Sequence, residues 1–292
     1  MESGLLRLAA PAKVNVFLRV VGRRPDGYHE LVTWMQKIDL VDHLDMERTA
    51  AGITLHCPDS ALPEGEGNLA YRAARLFFQR TGVTGGVAIT LEKRIPVAAG
   101  LGGGSSDAAA VLKGLRVLYP SSSLTDAEML ELGLDLGADV PFFVSELNSA
   151  LATGVGEKLV PRQPLDGCLV LLVNPGFPVS TKLVFAQLDS GNDGSFALTR
   201  PDNTFKIIDL PDKGRGEAIG NDLESVTAGR YPEIGEIKSL LTTEGADIAL
   251  MTGSGPTVFG LFSNPAKAAQ CRDRLRERYP SGVFLAKPLT SF

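Results

Sequence analysis

Gly100-Leu101-Gly102-Gly103-Gly104-Ser105-Ser106-Asp107 constrains this chain more than any other stretch, because of what flanks it. Val87 to Leu91 alternates with period two and leads through Pro96 into the glycines. Beyond them Ala108, Val111, Leu112 and Leu115 recur at helical spacing, with Pro120 past the helix end. A strand, a glycine loop and a helix in that order can bind an anion. Glycine lets the backbone approach phosphate oxygens without a Cβ clash. The helix start presents unpaired N–H groups at the positive end of its dipole. Ser105 and Ser106 can add hydroxyls to a phosphate or a metal ion. The spacing excludes two familiar phosphate loops: no lysine follows the glycines as a Walker A loop requires, and Ser105 interrupts a GxGxxG fingerprint. The alternative is a flexible loop whose Ser or Asp caps the next helix.

At 292 residues two domains are expected, divided as 1–160 and 161–292, with the junction near Gly154 to Asp166. A net charge of -5 argues against a general nucleic-acid binder, though not against a local basic pocket. Cys57, Cys168 and Cys271 lie far apart without CxxC spacing, so a disulfide framework or zinc site is not expected and a reduced, cytoplasmic setting is. Arg7 and Lys13 interrupt the first apolar stretch, and the longest apolar run, Cys168 to Val173, is too short to cross a bilayer. No membrane association is expected.

Val14, Val16, Leu18 and Val20 fall on one face of a first strand, opposite Asn15, Phe17 and Arg19. Pro25-Asp26-Gly27 supplies a turn, and strands follow around Leu31–Ile38 and Ile53–Cys57. A helix starts at Asn68 and stops at Gly82; another opens at Thr125 with Glu128 in a capping box and runs to Gly137. The second half reads as a strand at Leu169–Val173, a helix at Thr181–Leu188, a polar excursion over Ser190–Asp212 and a helix at Glu233–Thr243. Two strands around Gly253-Ser254-Gly255, a helix at Ala266–Arg278 and a last strand complete it. This order is that of a split βαβ, ferredoxin-like unit, so the fold class is α+β.

Pro11-Ala12-Lys13-Val14-Asn15, the glycine loop and Met251-Thr252-Gly253-Ser254-Gly255-Pro256-Thr257-Val258-Phe259 form an ordered set that resembles the three signature motifs of the GHMP kinases. The resemblance spans nearly the whole chain. It implies an N-terminal ribosomal-S5-like domain that binds ATP and a ferredoxin-like C-terminal domain. Within the family, PAKVNVFLRVVGRRPDGYHEL, IPVAAGLGGGSSDAA and GADVPFF are similar to the branch whose acceptor alcohol carries a cytidine diphosphate. The implied reaction transfers the γ-phosphoryl group of ATP to the 2-hydroxyl of diphosphocytidyl-methylerythritol in the non-mevalonate isoprenoid pathway.

The resemblance assigns Asp139 as the catalytic carboxylate, able to orient the hydroxyl and accept its proton. Taken alone, an Asp after a helix is more often a cap or solvated. Lys13 would lower the pKa of the attacking hydroxyl, keep Asp139 ionised and balance transition-state charge; Asn15, on its strand face, would fix a substrate hydroxyl. Pro96, Gly100, Leu101, Gly102, Gly103, Gly104, Ser105 and Ser106 would hold the nucleotide, with Asn68 near the adenine, although helix capping explains Asn68 almost as well. Tyr28 would stack on the pyrimidine and His29 read its polar edge, with Thr181 and Phe185 enclosing that end; Phe185 is equally a core residue by spacing. Gly253, Ser254 and Gly255 would form a tight turn facing the substrate or simply close a hairpin. Phosphoryl transfer implies Mg²⁺, with Ser106 as the candidate ligand and no carboxylate partner evident. His43 and His56 receive no role, Lys93 and Arg94 are left between solvated charges and phosphate neighbours, and monomer and homodimer both stay open. Against this stand another GHMP kinase acting on homoserine or mevalonate, the related diphosphomevalonate decarboxylase, and a non-catalytic binding protein on the same scaffold. GRRPDGYH, GADVPFF and the pair Lys13 and Asp139 argue against them in turn.

Overall fold

The computed structural model describes residues 4–58, 60–191 and 219–290. Two long strands, β1 (Leu6–Arg23) and β2 (His29–Thr49), pair antiparallel along most of their length. There follow β3 (Gly52–His56), α1 (Leu69–Thr81), β4 (Gly86–Glu92), α2 (Gly103–Leu118), α3 (Asp126–Leu136), α4 (Val140–Val144), β5 (Ser149–Gly154) and β6 (Lys158–Pro161). These strands make one sheet in the order β3-β4-β2-β5-β6, with β1 paired to β2. The remainder is β7 (Leu169–Val173), α5 (Thr181–Gly191), α6 (Glu224–Arg230), α7 (Glu233–Thr243), β8 (Ile248–Met251), β9 (Val258–Phe262), α8 (Pro265–Arg278) and β10 (Val283–Ala286). Its four strands pair antiparallel in the order β10-β7-β9-β8, the ferredoxin-like arrangement expected from the sequence.

The helix signals work as capping chemistry says they should. Asn68 Oδ1 accepts the Ala70 N–H at 3.0 Å to open α1, and Gly82 closes it at φ +63°. Thr125 and Glu128 form the reciprocal capping box of α3. Three apolar clusters hold the molecule. One packs α1, α2 and α3 against the first sheet, through Phe77, Leu112 and Met129 among others. A second lies under α7 and α8. The third joins the halves, setting Val14, Val16 and Ile38 against Val170, Leu172 and Phe259. Each fully buried side chain of this size contributes roughly 1.5–3 kcal/mol, so this third cluster fixes β1 against the second sheet.

Three elements were not anticipated: the one-turn helix α4, the helix α6 and the β5–β6 hairpin. Part of the Gly154–Asp166 stretch is β6, paired with β5 in the first sheet, so the crossing to the second sheet runs between Pro161 and Leu169. The polar excursion of Ser190–Asp212 falls almost wholly outside the described residues; Ser190 and Gly191 end α5. β1 also departs from one-sided burial. Register shifts occur at Pro11/Ala12, Asn15/Phe17 and Val20/Gly22; between the first two the pairing is regular and both faces are covered, so Lys13 and Asn15 are nearly as buried as Val14 and Val16.

Candidate active site

The third cluster presses the middle of β1 against the glycine loop, and the site forms at that junction. The Lys13 N–H donates to the Leu101 carbonyl at 2.9 Å, locking strand to loop. Gly100 and Gly102 sit at φ +76° and +72°, where glycine is favoured. A Cβ on Gly100 would stand 2.2 Å from the Thr252 carbonyl oxygen, and one on Gly102 would stand 2.9 Å from the Phe143 ring. The glycines therefore permit close packing as well as anion approach. Gly102 is the N-cap of α2 and no side chain caps that end; its carbonyl accepts the Ser106 N–H at 2.9 Å. The amides of the first turn consequently face whatever the loop holds.

Lys13 is 3% exposed. Its ammonium donates to Asn15 Oδ1 at 2.6 Å and stands 3.5 Å from Asp139 Oδ2. Asp139 precedes α4 with helical backbone angles and makes no side-chain capping bond, so the ordinary role of a turn aspartate is not the one it plays. Asn15 donates from Nδ2 to Thr33 Oγ1 at 2.8 Å, and its backbone N–H donates to Thr252 Oγ1 at 3.0 Å. Thr252, fully buried, thus ties β1 to the turn after β8 and, at 3.4 Å, to the Gly100 carbonyl. The sequence reading passed over Thr252, although it stands inside the third motif beside Gly253. Thr181 and Ser254 share a hydroxyl hydrogen bond of 2.7 Å.

A second charged group lies behind the loop. Lys93 bonds Asp42 and also Asp107, the latter at 2.7 Å, and all three are buried or nearly so. Asp42 Oδ1 also accepts the Ile95 N–H at 2.8 Å, bracing the approach to the glycines. Burial pushes the Asp107 carboxyl up to about 7 even though Lys93 pulls the other way. Burial also works against the Lys93 charge, but Asp107 and Asp42 outweigh it and hold that ammonium above its ordinary range. Lys93 is therefore a buried ion-pair partner that also lines the cavity.

At the other end His29 opens β2, 8% exposed, with its ring stacked on Phe185 of α5 at 4.6 Å between centroids. Its Nε2 lies 2.7 Å from Asp189 Oδ1, and Arg23 lies 3.6 Å from the other oxygen of that carboxylate. Tyr28 beside it is 63% exposed. One cavity of about 1060 Å³ runs between these ends. The residues given a site role from the sequence line it except Gly255 and Ser106, the latter standing behind the loop at 1% exposure. Asn68 lines it while its side chain is committed to the Ala70 N–H and the Pro63 carbonyl. Lys93, left undecided in the sequence, lines it too, and Asp107, Arg23, Lys182 and Asp189 line it without having been assigned a role.

A triphosphate fits the uncapped start of α2 and the glycine cradle. Mg²⁺ fits too. Among the described residues no cluster of three His, Cys, Asp or Glu could cage a metal, but Mg²⁺ takes most of its ligands from phosphates and water. The buried Ser106 hydroxyl and Asp107 Oδ1 have no hydrogen-bond partner, leaving oxygens beside the loop unsatisfied.

Known proteins place this architecture. Residues 68–146 match the family model of the GHMP kinases N-terminal domain, and residues 206–281 that of the GHMP kinases C-terminal region. The chain is 42% identical over 288 residues to a 4-diphosphocytidyl-2-C-methyl-D-erythritol kinase of Syntrophus aciditrophicus, covering 98% of this chain and all of that one. It is 46% identical over 267 residues to the enzyme of the same name from Citrifermentans bemidjiense, covering 90% and 91% of the two chains. The crystal structure of a 4-(cytidine 5'-diphospho)-2C-methyl-D-erythritol kinase superposes with a TM-score of 0.80 at 38% identity, covering 98% of this chain and all of that one.

Proposed function

The chain belongs to the GHMP kinase family, and we propose from its site geometry how it phosphorylates the 2-hydroxyl of 4-diphosphocytidyl-2-C-methyl-D-erythritol with ATP, in the non-mevalonate isoprenoid pathway. One observation carries the proposal: the Lys13 ammonium stands between Asn15 and Asp139, beside a loop built for phosphate. Asp139 is the group that orients the acceptor hydroxyl and takes its proton at a carboxylate oxygen. Lys13, with its charge near that carboxylate and the loop, stabilises the anionic oxygen as it attacks and offsets charge on the transferring group. Asn15, held by Thr33 and Thr252, keeps the lysine aimed. The amides at the start of α2 hold the phosphates, and Asn68 lies on the same cavity wall for the adenine.

Ser106, whose buried hydroxyl has no hydrogen-bond partner, is the proposed side-chain ligand of Mg²⁺, which when bound would neutralise developing charge. At the far end the exposed Tyr28 ring offers a face to the pyrimidine, His29 its polar edge, and Thr181 with Ser254 a pair of hydroxyls between base and reacting alcohol. The division into residues 1–160 and 161–292 accompanies this reading, with nucleotide held by the first part and the base end completed by the second. Among the described residues no helix is long and apolar enough to cross a membrane; a cytoplasmic setting is the one proposed. The test is ADP release from ATP and Mg²⁺ with a panel of alcohols. Turnover with diphosphocytidyl-methylerythritol, and not with mevalonate or homoserine, is expected. Turnover with either of the latter instead would discard the assignment of the base end.

A further inference from the structure

The turn that carries Gly253 and Ser254 is held from behind by a segment with no place in the roles described so far. Asn221 is buried and stands just before α6. Its Nδ2 donates to the Met251 carbonyl at 2.8 Å and to the Gly253 carbonyl at 2.7 Å, and its Oδ1 accepts the Leu223 N–H at 3.0 Å. We propose that Asn221 is a positioning residue for phosphoryl transfer: by holding those two carbonyls it keeps them off the anionic acceptor and fixes the turn beside Lys13. This rests on the reading of that turn as facing the acceptor.

Only one orientation of the Asn221 amide satisfies all three bonds, since two carbonyls need donors and one N–H needs an acceptor. Its neighbours complete the brace. The Thr252 carbonyl accepts the Gly255 N–H at 3.0 Å, and the Ser254 carbonyl accepts the Thr227 hydroxyl at 3.1 Å. Four successive carbonyls, Met251 to Ser254, are thus bound within the protein. Gly253 and Ser254 lie on the cavity wall and Asn221 does not, so the carbonyls it holds are drawn off the side where the acceptor's diphosphate would pass. The turn also packs without slack: a Cβ on Gly253 would stand 3.0 Å from the Gly100 carbonyl oxygen and 3.5 Å from Lys13 Nζ. A shift of the turn would therefore disturb the glycine loop and the Lys13 ammonium together. The segment around Asn221 is itself anchored to β1. The Leu18 N–H donates to the Gly220 carbonyl at 2.9 Å, and the Asp222 N–H donates to the Leu18 carbonyl at 3.0 Å. The Asp222 carboxylate accepts from Arg19 at 2.7 Å and from the Val20 N–H at 2.8 Å. One short segment thus ties the strand bearing Lys13 to the turn that faces the acceptor.

The test separates kcat from KM, with every variant assayed well below its Tm. Asn221→Ala should lower kcat at least about tenfold, as misplacement of reacting groups does, with KM for ATP within about threefold of normal. Asp222→Ala is the control. It loosens the same segment from β1 but leaves both carbonyls held, so its kcat should stay within about threefold of normal even where its Tm falls as far. A merely structural brace would leave kcat equal in the two variants, and that outcome overturns the proposal. Thr227→Val, nearly isosteric, serves if Asn221→Ala does not fold. It strips the buried Ser254 carbonyl of its donor and should lower kcat at least about threefold; an unaltered kcat there overturns the proposal. Failure of the underlying reading is distinguishable through Ser254→Ala. A raised acceptor KM in that variant, beside a normal kcat in Asn221→Ala, sinks the positioning role alone. An unaltered acceptor KM would show that the turn does not face the acceptor, and would remove both.

Discussion

The two ends of the cavity are built differently. At the reacting end Lys13 and Asn15 are 3% and 2% exposed, and they are fixed by backbone groups and by Thr252, which is distant in sequence. β1, the glycine loop and the turn after β8 come so close there that a single added methyl would collide with main chain. At the base end Tyr28 is largely exposed, and the contacts run from the start of β2 to α5 through side chains. The first end is preorganised, as transition-state stabilisation requires. The second is a set of adaptable side chains, suited to binding. Changes at the first should therefore lower kcat, and changes at the second should raise KM.

The largest effect is expected from Asp139→Asn, which keeps the shape and removes the base. A fall in kcat of roughly 10²–10⁴-fold, the usual worth of general base catalysis, should accompany ATP binding within about threefold of normal. Rapid-quench turnover and calorimetric titration with ATP check the two halves. A kcat within tenfold of normal would break the comparison, since the reacting end would then run on positioning alone. Gly100→Ala comes next. The substitution imposes a left-handed conformation costing about 1–2 kcal/mol and drives a methyl onto the Thr252 carbonyl. A lower Tm and a loss of at least about tenfold (about 1.4 kcal/mol) in kcat/KM for ATP should follow; a normal loop with normal kinetics would show that the close approach is not needed.

The same difference explains what could be read in advance. The glycine loop was legible because backbone geometry leaves few residue choices: Gly100 and Gly102 both adopt left-handed angles. The caps at Asn68 and Thr125 were legible for the same local reason. Lys13, Asn15 and Asp139 were named from the family resemblance, and their convergence within 3.5 Å is a product of tertiary packing that spacing could not supply. Asp189 escaped, and Lys93 stayed undecided between solvated charge and phosphate neighbour, because a charged residue on a polar helix or strand end looks solvated until its partner is known. α4 escaped because five apolar residues beginning Val140-Pro141 are too few to show a period. The burial of Lys13 escaped because alternation sets it opposite the apolar face of β1, and the glycine loop and Thr252 that cover its own face come from distant parts of the chain.

Tyr28→Ala sharpens the comparison from the other end. Loss of one ring stacked on a base typically costs 1–3 kcal/mol, so KM for the cytidylyl substrate should rise on the order of tenfold or more, with kcat changed less than twofold. Steady-state kinetics at saturating ATP reads this directly. A fall in kcat that matches the rise in KM would mean that the base end also positions the reacting hydroxyl, and the division of labour would be lost.

The smallest effect concerns the support beneath the reacting end. Lys37 of β2 is buried, donates to the Ser145 carbonyl at 2.9 Å just past α4, and sits 5.0 Å over the Phe142 ring. Burial, with repulsion from Lys113, pulls its pKa down to about 7, Glu146 opposing. The unfolded chain would hold that proton up to about 10.4. Below pH 7 both states are charged and the fold bears the full cost of burying the ammonium. As pH rises from about 7 toward 10 the folded state releases its proton first, and that cost fades. Lys37→Met, similar in length and uncharged, should therefore raise Tm most at pH 6, by a few degrees, with the advantage shrinking toward pH 9. Since α4 follows Asp139 directly, kcat of the variant should stay within a few-fold if the apolar contacts alone hold that helix. A Tm difference that grows with pH would reverse the sign and show that the Ser145 hydrogen bond, rather than desolvation, dominates at Lys37.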